Sequence, residues 1–67
     1  MWNVTVRLPN GEVKSTSHRM LHQTTGAVSY FLALFAKMGA IDLTTNTPTL
    51  KTYQVRGKAA SLEVRAA

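Results

Sequence analysis

The chain has 67 residues, no cysteine, and eight Lys or Arg against three Asp or Glu, giving a net charge of +5 and a pI near 10.3. That length holds a single domain, residues 1–67, with a thin core, because so short a chain buries only about 60% of the surface it exposes unfolded. Without cysteine neither a disulfide nor a thiolate metal site can brace it, while a hydrophobic content of 45% excludes disorder and the basic balance favours a polyanionic partner.

The first segment alternates. Trp2, Val4, Val6 and Leu8 take one face and Asn3, Thr5 and Arg7 the other, the period of a half-buried strand. Pro9 ends it, and Asn10-Gly11 predicts a type I′ turn, which needs positive φ at both central residues. Residues 12–16 then return as a short second strand, with Val13 expected to face inward.

Ser15, Thr16 and Ser17 are candidate N-caps for a short helix over 18–23, in which Met20 and Leu21 are the apolar members. Thr24-Thr25-Gly26 breaks that helix and offers a second cap. Residues 27–38 predict a strong helix, closed by Gly39 in a left-handed C′ position. Ala27, Tyr30, Phe31, Leu34, Phe35 and Met38 form its stripe, Val28 and Leu32 widen it, and only Ser29 and Lys37 are polar. A helix apolar nearly all round must be buried on several sides. The hairpin covers one side, and a second copy of the chain is expected on another, making a homodimer.

The last third is strand-like, with two competing pairings. Residues 41–44 can pair with 50–55 around the loop Asn46-Thr47-Pro48-Thr49; alternatively residues 50–56 turn at Gly57-Lys58 and pair with 61–65, where Leu62 and Val64 flank Glu63. The opening residues lack the basic stretch and apolar run of a signal peptide. The longest apolar run, about 15 residues from 27 to 41, is interrupted and shorter than the roughly 20 that a membrane span requires. A cytoplasmic location with no membrane partner is the expectation.

Catalytic constellations are missing. His18 and His22 would share a helical face, but Arg19 stands where a zincin motif has glutamate, and no cysteine completes a site. No serine lies in a nucleophile elbow, the glycines at 11, 26, 39 and 57 form no phosphate loop, and three scattered carboxylates make no acid–base pair. The expectation is a protein that is not an enzyme, with no metal, no cofactor and no small-molecule substrate.

The run from Met20 through Thr24-Thr25-Gly26-Ala27-Val28-Ser29-Tyr30-Phe31-Leu32 to Phe35 and Met38-Gly39-Ala40-Ile41 resembles winged helix-turn-helix domains of small bacterial and phage transcription regulators. The resemblance covers about residues 18–55. It implies an α+β fold: an N-terminal β-hairpin, a short helix, a long apolar recognition helix and a C-terminal hairpin as the wing. It also implies duplex DNA as partner and transcription regulation as role. Thr24, Thr25, Ser29 and Tyr30 would lie at the start of the recognition helix, near bases and phosphates, with Lys51 in the wing and Arg56 and Lys58 beyond it as phosphate contacts.

A β-hairpin stands where that family has a helix, and Phe31, Ala33 and Leu34 replace the polar residues of a recognition helix. The alternative is therefore a plain β-β-α-β-β domain serving as a non-enzymatic protein-interaction module, such as a small inhibitor or adaptor, that docks through its apolar helix. An RNA-binding sheet lacks the adjacent strand aromatics that base stacking requires.

Overall fold

A computed structural model describes residues 1–67. Its elements in chain order are β1 (Trp2–Arg7), β2 (Val13–His18), a 3-10 turn (Leu21–Thr24), α1 (Thr25–Ala36), β3 (Ile41–Thr47), β4 (Leu50–Val55) and β5 (Ser61–Ala66). The five strands form one antiparallel sheet in the order β2-β1-β5-β4-β3, with α1 on one face.

The winged helix-turn-helix is absent. The molecule is a β-rich antiparallel sheet with one short helix, and the plain β-β-α-β-β alternative is one strand short. The reason lies at Ser15–His18. Trp2 and Val4 in β1 need backbone partners on that edge, and His18 and Thr16 supply them, so the hydroxyl residues join a strand instead of capping a helix. Only Leu21–Thr24 remain for helical structure, and they pass straight into α1 through a bond from the Thr25 N–H to the His22 carbonyl. Gln23 seals the entry, its Oε1 accepting from the Arg19 and Met20 amides at 3.0 and 3.1 Å. No turn separates two helices.

The expected wing is also integral to the sheet. The two pairings that compete in the sequence coexist: β4 bonds β3 on one edge and β5 on the other, and β5 returns to pair with β1. β3 carries an irregularity between Leu43 and Thr45, where the Thr44 and Thr52 hydroxyls meet at 2.6 Å.

The first turn differs in type from the expectation. Only Gly11 has positive φ, at 92°, and its N–H bonds the Leu8 carbonyl while the Leu8 N–H bonds Glu12. Pro9-Asn10 therefore form a type I turn followed by a left-handed glycine, the three-residue hairpin loop. β2 takes its register from that turn. Val13 stands opposite Arg7 on the face away from the helix and is 53% exposed, against the inward orientation expected.

Trp2, Val4 and Val6 face α1, as the alternation predicts. Val4, Val6, Leu62, Val64, Val55 and Ala60 form the buried floor, and Phe35 is driven into it at 0% exposure. Val28, Phe31 and Leu32 pack around that contact. The helix starts and ends two residues earlier than expected, and Gly39 is not left-handed. A Cβ on Gly39 would sit 3.6 Å from Val55 Cγ1, an ordinary contact, so neither backbone conformation nor space requires glycine there. Much of the outward side of α1 is Gly26, Ser29, Ala33 and Ala36, whose small side chains leave little apolar area in water. Tyr30 is the exception, 62% exposed with its ring edge-on to Phe31 at 5.1 Å. No helix is long and apolar enough to cross a membrane.

Candidate functional site

Part of the sheet is left uncovered beside the N-terminal turn of α1. There the 3-10 turn supplies Leu21, His22 and Thr24, α1 supplies Thr25, Val28 and Ser29, β4 supplies Lys51 and Tyr53, and β5 supplies Val64. Together they line an open cavity of ≈ 540 Å³. This is the size range of ligand pockets, and its apolar floor with a few convergent polar groups is their usual make-up.

The side chains differ in what they can offer. Thr24 is buried and spends its hydroxyl on the Leu21 carbonyl at 2.7 Å, locking the turn into the helix. The side chains of Lys51, His22, Thr25, Ser29 and Tyr53 make no hydrogen bond inside the protein and are free to meet a ligand. Lys51 and Tyr53 face the cavity because β4 alternates, putting Lys51, Tyr53 and Val55 on the helix side and Leu50, Thr52 and Gln54 on the other.

Helix α1 begins beside this cavity with no side-chain cap and no acidic residue in its first turn. The 3-10 turn runs directly into it, and the Thr25 N–H is taken by the His22 carbonyl.

Carboxylates are kept away. Asp42 and Glu63 stand on the opposite sheet face and Glu12 in the first turn, and none lines the cavity. Asp42 accepts from Arg56 at 2.7 and 3.2 Å, and Glu63 from Arg65 at 3.2 and 3.3 Å. The bonds from Arg56 hold the Asp42 carboxyl below its ordinary range and push the Arg56 guanidinium up; Glu63 does the same to Arg65. Of the eight Lys and Arg, these two pairs occupy two, leaving six free cations: Arg7, Lys14, Arg19, Lys37, Lys51 and Lys58.

The residues expected to touch DNA divide accordingly. Thr24, Thr25, Ser29 and Lys51 come together at the cavity, although the helix-turn-helix that suggested the first three is absent. Tyr30 points to solvent from the outer side of α1. Arg56 is paired with Asp42, and Lys58 lies in the β4–β5 turn after Gly57, whose φ is 75°. Lys51 near the start of β4 and Arg56 just beyond its end are about 17 Å apart at the ordinary strand rise.

Sequence reasoning did not place Tyr53, Val64 or His22 among the site residues. The alternation of β4 and β5 carried the signal for the first two. No three His, Asp or Glu side chains cluster, and His18 is engaged with the Thr16 hydroxyl at 2.9 Å.

Comparison of the chain with protein-family models, curated proteins and solved structures finds no match.

Proposed function

We propose that this chain is a non-enzymatic DNA-binding module that holds a backbone phosphate of the duplex in the cavity at the start of α1. The observation that carries the reading is convergence: Lys51 and the free hydroxyls of Thr25 and Ser29 meet at the first turn of α1, where no carboxylate is present. A lysine ammonium and side-chain hydroxyls are usual donors to phosphate. The net charge of +5 attracts the polyanion as a whole. The polar sheet face is the weaker candidate, because Asp42 and Glu63 neutralise Arg56 and Arg65 there.

Fluorescence anisotropy with a labelled duplex at several salt concentrations tests this. Neutralising about three to five phosphates gives a log–log salt slope on the order of −3 to −4.5. Lys51→Ala lowers the slope by about one unit, whereas Arg56→Ala, already paired, leaves it nearly unchanged. Thr25→Asp separates binding from folding. A carboxylate in the first turn stabilises the helix by roughly 0.3–1 kcal/mol yet repels a phosphate, so the melting temperature rises while binding weakens. A Thr25→Asp protein that binds as tightly as wild type refutes the site. Absence of duplex binding at low salt refutes the function and leaves docking of a protein, through Tyr30 on the outer side of α1, as the reading to pursue.

A further inference from the structure

We propose that β2 is a self-association edge, through which two copies of this chain pair strand to strand and extend the sheet across a two-fold axis. The inference is independent of the cavity.

The hydrogen-bond ladder determines which groups are free. The Leu8 N–H bonds the Glu12 carbonyl, and on the far side of β1 the Ala67 N–H bonds the Met1 carbonyl. With the observed registers, even-numbered residues of β1 bond β2 and odd-numbered ones bond β5. In β2, Lys14, Thr16 and His18 thus turn their backbone groups toward β1. Val13, Ser15 and Ser17 turn theirs outward, where no strand meets them. An edge of this kind is a template for another strand unless something blunts it.

The two edges differ. β3, at the other end of the sheet, has its ladder interrupted between Leu43 and Thr45, and such irregularities are a common means of blocking edge pairing. β2 runs from Val13 to His18 in unbroken register, with no proline and no bulge. Its only defence is Lys14.

A second copy is the occupant because the strand is complementary to itself. Outward-facing residues can pair only with outward-facing residues, which leaves two centred antiparallel arrangements. In one, Ser15 faces Ser17 of the second copy, Thr16 faces itself on the axis and Lys14 faces His18. In the other, Ser15 faces itself and Lys14 faces Thr16. Neither sets two lysines opposite each other, and the serines and threonines form the cross-strand hydroxyl pairs that sheets favour. Both arrangements keep the two helices on the same side of the joined sheet. Exposed apolar groups flank this edge as well, with Val13 at one end and Met20 and Leu21 after the other, exposed at 53%, 56% and 44%.

A single strand pair is a small interface, so the association is weak and is read at high micromolar concentration. Sedimentation equilibrium should show the mass rising from 7.4 kDa toward twice that value. Ser15→Pro removes an outward N–H that β1 does not use, and should hold the chain monomeric over the same range. Because the natural chain has no cysteine, Thr16→Cys and Ser15→Cys give a second reading that does not depend on the proline variant folding. Directly opposed strand residues have Cα atoms about 4.5–5.5 Å apart, within disulfide range, so oxidation should link at least one of these variants into covalent dimers. Thr45→Cys on β3 should link at least tenfold more slowly. Equal linking on both edges, or a wild-type chain that stays at monomer mass throughout, overturns the proposal.

Discussion

Truncating Tyr30 and Phe35 to alanine, side by side, tests which face of α1 the sheet holds. Both are aromatic and lie five residues apart on one helix, so helix propensity and side-chain size change alike. Phe35 is 0% exposed in the middle of the apolar floor. Its loss removes a full aromatic burial and leaves a cavity, which costs about 3–5 kcal/mol. At the usual 0.05–0.15 kcal/mol per residue, a domain of this length has roughly 3–10 kcal/mol in total, so Phe35→Ala should be largely unfolded or marginal at 25 °C. Tyr30 is 62% exposed, and its main contact is the edge-on ring of Phe31 at 5.1 Å. That pair is worth roughly 0.5–1.5 kcal/mol. A change of 1 kcal/mol moves the melting temperature of so small a domain by about 4–8 °C, so Tyr30→Ala should melt cooperatively only some degrees below wild type. Thermal melts followed by circular dichroism read both. If Tyr30→Ala loses its cooperative transition while Phe35→Ala keeps one, the orientation of α1 is wrong and the cavity beside it goes too.

Two glycines should respond in opposite directions. Gly26→Ala places a Cβ in open space inside the helix and should stabilise by about 0.5–1 kcal/mol in urea titration, whereas Gly57→Ala at φ 75° should destabilise by about 1 kcal/mol or more. The carboxyl of Asp42 is held below its ordinary 3.8, chiefly by the hydrogen bonds from Arg56. A depressed carboxylate contributes stability that is present above the unfolded value and lost as pH falls through the folded one. Melts of the wild type should therefore be flat from pH 5 to 8 with respect to this group and decline below about pH 4. Asp42→Asn should make that acid decline shallower; an unchanged acid limb would show that the pair does not persist in solution.

Several elements were legible because their cause is local. The alternation of β1 is written in consecutive residues, and so is the helix over 27–38. The stripe read there included Tyr30, which is exposed, while Val28, Phe31, Leu32 and Phe35 are the residues that meet the sheet. Pro9-Asn10-Gly11 announces a turn, although its type depends on which residue takes positive φ. β4 and β5 also alternate, which is enough to put Lys51 and Tyr53 on one face, but not to say what lies above that face.

The fate of Ser15-Thr16-Ser17 has no local cause. The same hydroxyls can cap a helix or line a strand, and the exposed edge of β1 decides between them. That one choice removes the first helix, abolishes the helix-turn-helix and sends β2 to the rim of the sheet. The competing pairings of β4 were likewise settled by the sheet as a whole, since a central strand has two edges and both must be satisfied. β5 closes onto β1 from the far end of the chain, a contact whose partners are separated by nearly the whole sequence and which no local pattern encodes. The cavity follows from that closure. Thr25 and Ser29 come from the helix and Lys51 and Tyr53 from β4, and they meet because β4 is seated beside β5 under the helix N-terminus. Composition and alternation determined the charge of this protein and the faces of most of its strands; long-range backbone pairing decided which faces meet, because it must satisfy every buried N–H and C=O at once and overrides what each segment would do alone.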